Sequence, residues 1–265
     1  MRIDLLGALS ASHAETSIIP SAAKPCQLLA LLALNANRLV TKAELFEELW
    51  ENHPPQSATT AIHTYIHRLR RLIDRAVDGR HPAGSREILV THRSGYSLHL
   101  GEGSTDVQEF RRLSAEGTRA SEAGDHRRTS QLLSAALRLW RGPMLSDVQV
   151  GPLLSLEAMA LEDAREAALS RRIDADLHLG RHREIVGELR TLSNRHPTNE
   201  RFAAHYMMSL YESGRINGAL QEFQRIRTLL IEELGVEPAP RLRRLQEVIL
   251  RGGRPLLDPV LAAMT

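Results

Sequence analysis

One cysteine, Cys26, in a chain of 265 residues rules out an intrachain disulfide and fits a reducing compartment. No apolar run approaches the roughly 20 residues that a membrane-crossing helix needs; the most apolar stretch is only Leu28 to Leu34. The opening Met1-Arg2-Ile3-Asp4-Leu5-Leu6-Gly7 has few apolar residues and an acid among them, so no secretory signal is read there. Catalytic signatures are missing as well. There is no G-x-x-x-x-G-K-[ST] loop, Gly101-Glu102-Gly103 lacks the rest of a dinucleotide loop, and Gly95-Tyr96-Ser97 does not form a nucleophile elbow. These absences lead to the expectation of a cytoplasmic, non-enzymatic protein without cofactor, metal or membrane partner. Lysine is scarce too: 32 of the 34 basic residues are arginine, as in proteins from high-GC genomes.

What is present suits a folded protein of two domains. The content is 42% hydrophobic and 25% charged, with mean hydropathy −0.26. The formal charge of +2 is unevenly placed. Residues 1–101 hold 11 Lys/Arg against 9 Asp/Glu, whereas residues 102–265 hold 23 of each. Within the first part, residues 60–96 carry seven Arg against three acids, and His63, His67, His81 and His92 add conditional charge. A local basic patch of this kind matches a phosphate-binding surface.

The first hundred residues mix two periodicities. Arg2–Leu6 and Thr16–Ile19 read as short strands joined by a polar turn. Pro25 sits in the first turn of an apolar helix through Leu34. Thr41, with Glu44 three residues on, makes a capping box for a helix over Lys42 to Trp50, which stops before His53-Pro54-Pro55. Ser57 begins a third helix, to about Ala76. Ile88 to Leu100 reads as a hairpin with Arg93-Ser94-Gly95 at its tip. Strands, three helices and a hairpin make a winged helix over residues 1–100, long enough to be expected to fold and bind DNA alone.

Gly101-Glu102-Gly103-Ser104 is read as a linker. Residues 101–250 then show helical spacing interrupted at Ala123-Gly124-Asp125, Leu179-Gly180-Arg181 and Ser213-Gly214-Arg215. The last two glycines stand 34 residues apart, the tetratricopeptide period, so helical hairpins stacked on one another are expected. Phe110, Trp140, Phe202, Tyr206, Tyr211 and Phe223 lie at helical spacing and are assigned to the core. Residues 251–265 form a C-terminal tail. The fold expected is multidomain: an α+β winged helix-turn-helix followed by an all-α tetratricopeptide-like domain.

The third helix carries the chemistry. At about 100° per residue, Ile62, Tyr65, Ile66, Leu69, Leu72 and Ile73 fall on one side. Thr60, His63, Thr64, His67, Arg68, Arg70, Arg71 and Arg75 fall on the other. An ordinary solvated face mixes Glu with Lys in i,i+4 pairs; this one has no acid before Asp74. Its side chains are of the kinds that bond base edges and phosphates. Arg93, with Ser94, suits insertion of the hairpin tip into a narrow minor groove, Gly95 permitting the tight turn. His63 and His67 have a zinc-compatible i,i+4 spacing, but no glutamate follows the first and no third ligand is evident.

Several motifs resemble a known family. Ile66-His67-Arg68-Leu69-Arg70-Arg71 and Ser94-Gly95-Tyr96-Ser97-Leu98 resemble the recognition helix and wing of OmpR-type winged helices. With Leu45–Trp50 and Pro54–Ala58 the resemblance narrows to the Streptomyces antibiotic regulatory protein (SARP) family. His196–Arg201, Leu210–Arg215 and Leu230–Pro238 are similar to that family's bacterial transcriptional activator domain. The resemblance implies an activator of a secondary-metabolite (antibiotic) gene cluster. It implies a dimer on direct repeats of double-stranded DNA that recruits RNA polymerase holoenzyme. Small members of the family, without receiver or ATPase modules, are the nearest in kind. Thr60-Ala61-Ile62-His63 departs from the family's usual Thr-Leu-Gln type sequence, so base preference does not carry over. A promoter-occluding repressor, and a scaffold whose winged helix binds protein, are the alternatives.

Overall fold

The computed structural model describes residues 1–13, 15–51, 53–77, 84–101 and 104–253. Within them the chain forms β1 (Arg2–Asp4), β2 (Ser10–His13), β3 (Thr16–Ser17), α1 (Ala23–Leu34), β4 (Val40–Thr41), α2 (Lys42–Trp50) and α3 (Ala58–Val77). Next come α4 (Ser85–Ile88), β5 (Leu89–Thr91) and β6 (Gly95–Leu98), then helices only. These are α5 (Asp106–Glu122), α6 (His126–Leu137), α7 (Pro152–His178), α8 (His182–Arg195), α9 (Glu200–Glu212), α10 (Ile216–Leu234) and α11 (Pro240–Leu250). A winged helix followed by an all-helical region is the architecture expected. The expected linker residues Glu102 and Gly103, and the tail beyond Gly253, lie outside the described residues.

Contacts divide the chain into two compact units, Met1–Ala115 with Ala135–Glu166, and Glu116–Ser134 with Ala167–Thr265. In the first unit one antiparallel sheet runs β1-β2-β3 and the other β4-β6-β5. The middle strand β2 corrects the sequence reading, which had a polar turn there. Its alternation is real, but it is carried by small residues: buried Leu9 and Ala11 flank Ser10, too weak a contrast to stand out. β4 and the single-turn α4 were also unread. The α2 capping box forms as expected, Thr41 Oγ1 accepting from the Glu44 amide while the Glu44 carboxylate accepts from the Thr41 amide. A second box, Thr105 with Gln108, opens α5.

Three carboxylates, Asp106 and Glu48 buried and Asp147 exposed, bind residues beyond 101 into this unit. Asp106 accepts from the amides of Leu5 (2.7 Å) and Leu6 (2.8 Å). Burial pushes its pKa up, partly offset by those two amides. Asp147 accepts from the Leu9 amide at 2.7 Å. Glu48, 1% exposed, accepts from the amides of Gly151 (2.6 Å) and Leu154 (3.0 Å) at the start of α7, and from Gln27 Nε2 at 2.8 Å. Gly151 is obligatory, since a Cβ there would stand 2.0 Å from the Glu48 carbonyl oxygen. Phe110 and Trp140 meet edge to face, and the Arg165 guanidinium lies over the Trp140 ring.

In the second unit the expected glycine turns recur with one hydrogen-bond pattern. Gly124, Gly180 and Gly214 all adopt positive φ, as does Gly252. At each, the glycine amide bonds three residues back and the next amide five residues back, the Schellman arrangement that closes a helix. α9 packs against both α8 and α10, and α11 against α9 and α10. The core holds Phe202, Met207, Met208, Phe223 and Leu245, with Tyr206 and Tyr211 at its edge. Two carboxylates of α7, about 200° apart on the helix, face different neighbours. Asp176 accepts from Ser130 of α6 and from Arg172 and Arg181, whereas Asp174 pairs with Arg201 and His205 of α9. Burial alone would raise the Asp174 pKa, but His205 and Arg201 outweigh it and hold the pKa below the usual carboxylate range.

Removing the Glu48 acceptor leaves buried amides unpaired at about 1–3 kcal/mol each. Glu48→Ala is therefore expected to lower unfolding free energy by roughly 3 kcal/mol, and Glu48→Gln, which keeps one acceptor, by less. Urea unfolding monitored by circular dichroism measures both. The same reasoning bears on a 1–101 fragment, which lacks Asp106, Asp147, Gly151 and Leu154 and is expected to melt well below the intact chain.

Candidate nucleic-acid interface

α3 separates its two faces as its spacing requires. Ile62, Ile66, Leu69 and Ile73 are each at most 2% exposed, while Tyr65 and Leu72 at the margins are only partly covered. Thr60, His63, Thr64, His67, Arg68, Arg71 and Arg75 are all exposed on the other side. The Thr64 hydroxyl donates to the Thr60 carbonyl at 2.9 Å, leaving its lone pairs outward. Arg68, Arg71 and Arg75 have no side-chain partner among the described residues. An unpaired row of cations has its full donor capacity available to a polyanion, and the one acid within it, Asp74, is turned to the Ser85 amide, from which it accepts at 3.0 Å.

Arg70 differs from its neighbours. Its Nε and Nη2 donate to the Leu89 carbonyl at 3.1 and 2.6 Å, and Nη2 also reaches Thr91 Oγ1 at 2.8 Å. Both acceptors belong to β5, an edge strand of the wing sheet. Burial, then the nearby Arg86, lower the Arg70 pKa. This guanidinium is a strut between α3 and the wing. Arg86, exposed on α4, adds a cation to the same region that sequence reasoning passed over; as one arginine among seven it carried no distinguishing pattern.

The wing pairs Leu89 with Leu98, Val90 with Ser97 and Thr91 with Tyr96, and the His92 amide closes the turn on the Gly95 carbonyl at 2.9 Å. Arg93 and Ser94 stand exposed at the tip. The Ser94 carbonyl accepts from the Lys42 amide at 2.8 Å, tying the tip to the first residue of α2. Below it, Ser97 Oγ bridges His92 Nε2 and His99 Nε2, each at 2.8 Å. The role read for Gly95 is corrected. Its backbone is not in the left-handed region; a Cβ there would lie 2.0 Å from the Val40 carbonyl oxygen, so glycine is required by the close approach of β4. Tyr96 is buried at the hairpin base. Among the described residues no three His, Cys, Asp or Glu side chains cluster as metal ligands, and no helix is long and apolar enough to cross a membrane.

A winged helix with an unpaired basic recognition helix, followed by stacked helical hairpins, defines a DNA-binding transcriptional regulator. The comparisons agree. Residues 16–98 match "Transcriptional regulatory protein, C terminal" and residues 105–250 match "Bacterial transcriptional activator domain". The regulatory protein DnrI of Streptomyces peucetius is 43% identical over 95% of this chain and 92% of its own length. The regulatory protein AfsR of Streptomyces coelicolor is 35% identical over the whole chain, which spans only 25% of that longer protein. Among solved structures, Mycobacterium tuberculosis EmbR in complex with a low-affinity phosphopeptide superposes with a TM-score of 0.86 at 32% identity, over 98% of this chain and 68% of EmbR. The chain belongs to the SARP family of transcriptional regulators.

Two substitutions separate architecture from DNA contact. Arg70→Ala removes charge-assisted bonds to the wing and is expected to cost about 1–2 kcal/mol of stability. Gly95→Ala is expected to cost more, by forcing β4 from β6. A thermal melt unchanged in Arg70→Ala would rule out the strut.

Proposed function

We propose that this regulator lays the exposed face of α3 in the major groove of promoter DNA and sets Arg93 and Ser94 of the wing toward the adjacent minor groove. The observation that carries the reading is the row Arg68, Arg71 and Arg75, exposed and without a side-chain partner among the described residues, beside a wing tip braced against α2; Asp74, the one acid in that run, accepts from the Ser85 amide. Thr60, His63, Thr64 and His67 supply shorter donors and acceptors toward base edges. Arg70 acts by holding the wing in register with α3. Family membership further supports a dimer on direct repeats, activation through RNA polymerase holoenzyme, and control of a secondary-metabolite cluster. The stacked helical hairpins suit protein partners, since their faces are built by packing rather than by a charge excess.

If Arg68 reads a base, Arg68→Ala is expected to weaken specific binding by about 1–3 kcal/mol while leaving the melting temperature unchanged. Arg75→Ala, at a phosphate, is expected to reduce the salt slope by about one. Fluorescence anisotropy on a footprinted promoter duplex across a salt series measures both. Equal affinity in folded Arg68, Arg71 and Arg75 variants would exclude this face.

Direct-repeat binding has its own test. Half-sites about 10–11 bp apart put both protomers on one side of B-DNA, so inserting about 5 bp is expected to abolish cooperative binding. Transcription in vitro with purified polymerase should rise with occupancy. A fall would assign the protein as a repressor instead.

A further inference from the structure

Beside the DNA-facing side of α3 the fold leaves a groove of about 330 Å³. Arg68, Arg71, Leu72 and Arg75 form one wall, and the chain from Ile19 into the first turn of α1 forms the other. Among the described residues no carboxylate lines it, and none of the three guanidinium groups that border it has an ion-pair partner. The far wall is largely apolar, built from Ile19, Pro20, Ala22 and Pro25 with Ser21 among them, and Leu72 joins it from α3. Ile19 is 36% exposed, so part of its aliphatic side chain is open to an occupant of the groove. Ala22, the N-cap of α1, offers no side-chain cap, so the positive end of a 12-residue helix also borders the groove.

We propose that this groove is an effector site for a small acid with a flat or branched apolar body, such as an aryl carboxylate or sulfonate, and that its occupant competes with DNA. The inference rests on the DNA-facing role of α3 given above. The acid group would lie among Arg68, Arg71 and Arg75, and the body on Ile19, Pro20 and Pro25. The volume lies at the small end of ligand pockets, about 300–1,000 Å³. A DNA phosphate matches the cations but offers nothing to cover the apolar wall, whereas an amphipathic acid matches both. Binding the acid withdraws three cations from the duplex, so occupancy of the groove and of DNA exclude one another.

The probe is 8-anilinonaphthalene-1-sulfonate, titrated into the full chain by its fluorescence and, separately, against a far-red-labelled promoter duplex at constant ionic strength. One saturable site per chain is expected. Probe at about ten times its own Kd should raise the apparent duplex Kd about tenfold, by simple competition. Sodium sulfate at the same ionic strength carries charge without an apolar body and should leave duplex binding unchanged. Ala22→Trp fills the groove without removing an arginine, and Ile19→Ala trims its wall. The first should abolish the probe site and the second weaken it, both leaving duplex affinity within about twofold, as for surface substitutions generally. Probe binding that is absent, that survives Ala22→Trp, or that leaves the duplex Kd unmoved overturns the proposal. A chain that takes up the probe, loses it on Ala22→Trp and binds no duplex at all supports the groove and overturns the DNA reading.

Discussion

The carboxylate of Glu48 lies almost wholly out of water, which is tolerable only because three N–H donors converge on it. Two of them are amides at the beginning of α7, where the helix dipole favours a negative charge. Glu48 sits on α2, so this one group ties the helix-turn-helix to a segment about a hundred residues further along the chain. Asp106 does the same for β1, holding the amides of Leu5 and Leu6. Removal of either acceptor leaves buried donors with nowhere to turn. The winged helix is therefore held at α2 and after β1 by buried acid–amide joints as well as by apolar packing, and α3 packs on α1, β2 and β3 of the same unit.

Within this unit, polar groups divide into those that hold shape and those left free. Arg70 spends its donors on β5, the Ser94 carbonyl is engaged by α2, and Gly95 lets β4 come close enough to pair. These contacts set the distance between the recognition helix and the wing tip. Arg68, Arg71, Arg75 and Arg93 are not drawn into this bracing. A helix that must meet a charged ligand benefits from such a division, because each guanidinium tied to protein is one fewer for phosphate, while untethered elements would have to be ordered on binding.

The helical unit rests on repetition. The same glycine turn closes four helices, and two carboxylates of α7 face apart, Asp176 joining α6 and Arg181 ahead of α8, Asp174 joining α9. Buried charges satisfied in this way specify which helices are neighbours, while the apolar cluster around Phe202 and Phe223 supplies the bulk of the burial. The helical stretch of chain, residues 102–265, balances 23 basic against 23 acidic residues, where residues 1–101 carry a net +2.

The sequence by itself determined the features that depend on residues three to five positions apart. The two faces of α3, the Thr41–Glu44 box and the glycine turns at Gly124, Gly180 and Gly214 are all local, governed by helical geometry and by the tolerance of glycine for positive φ. The strand β2 escaped because its alternation runs through serine and alanine. Only tertiary structure decided that Arg70 braces the wing while Arg68 and Arg71 stay free, although all three lie within one turn of helix. The same holds for Gly95, whose need comes from β4 rather than from its own turn, and for Glu48, which in sequence is one acid of three in Glu47-Glu48-Leu49-Trp50-Glu51. The physical reason is the same in each case. The deciding partners, Leu89, Val40 and Gly151, are brought near by the folding of distant segments, and no periodicity around a residue encodes which distant backbone group its side chain will meet.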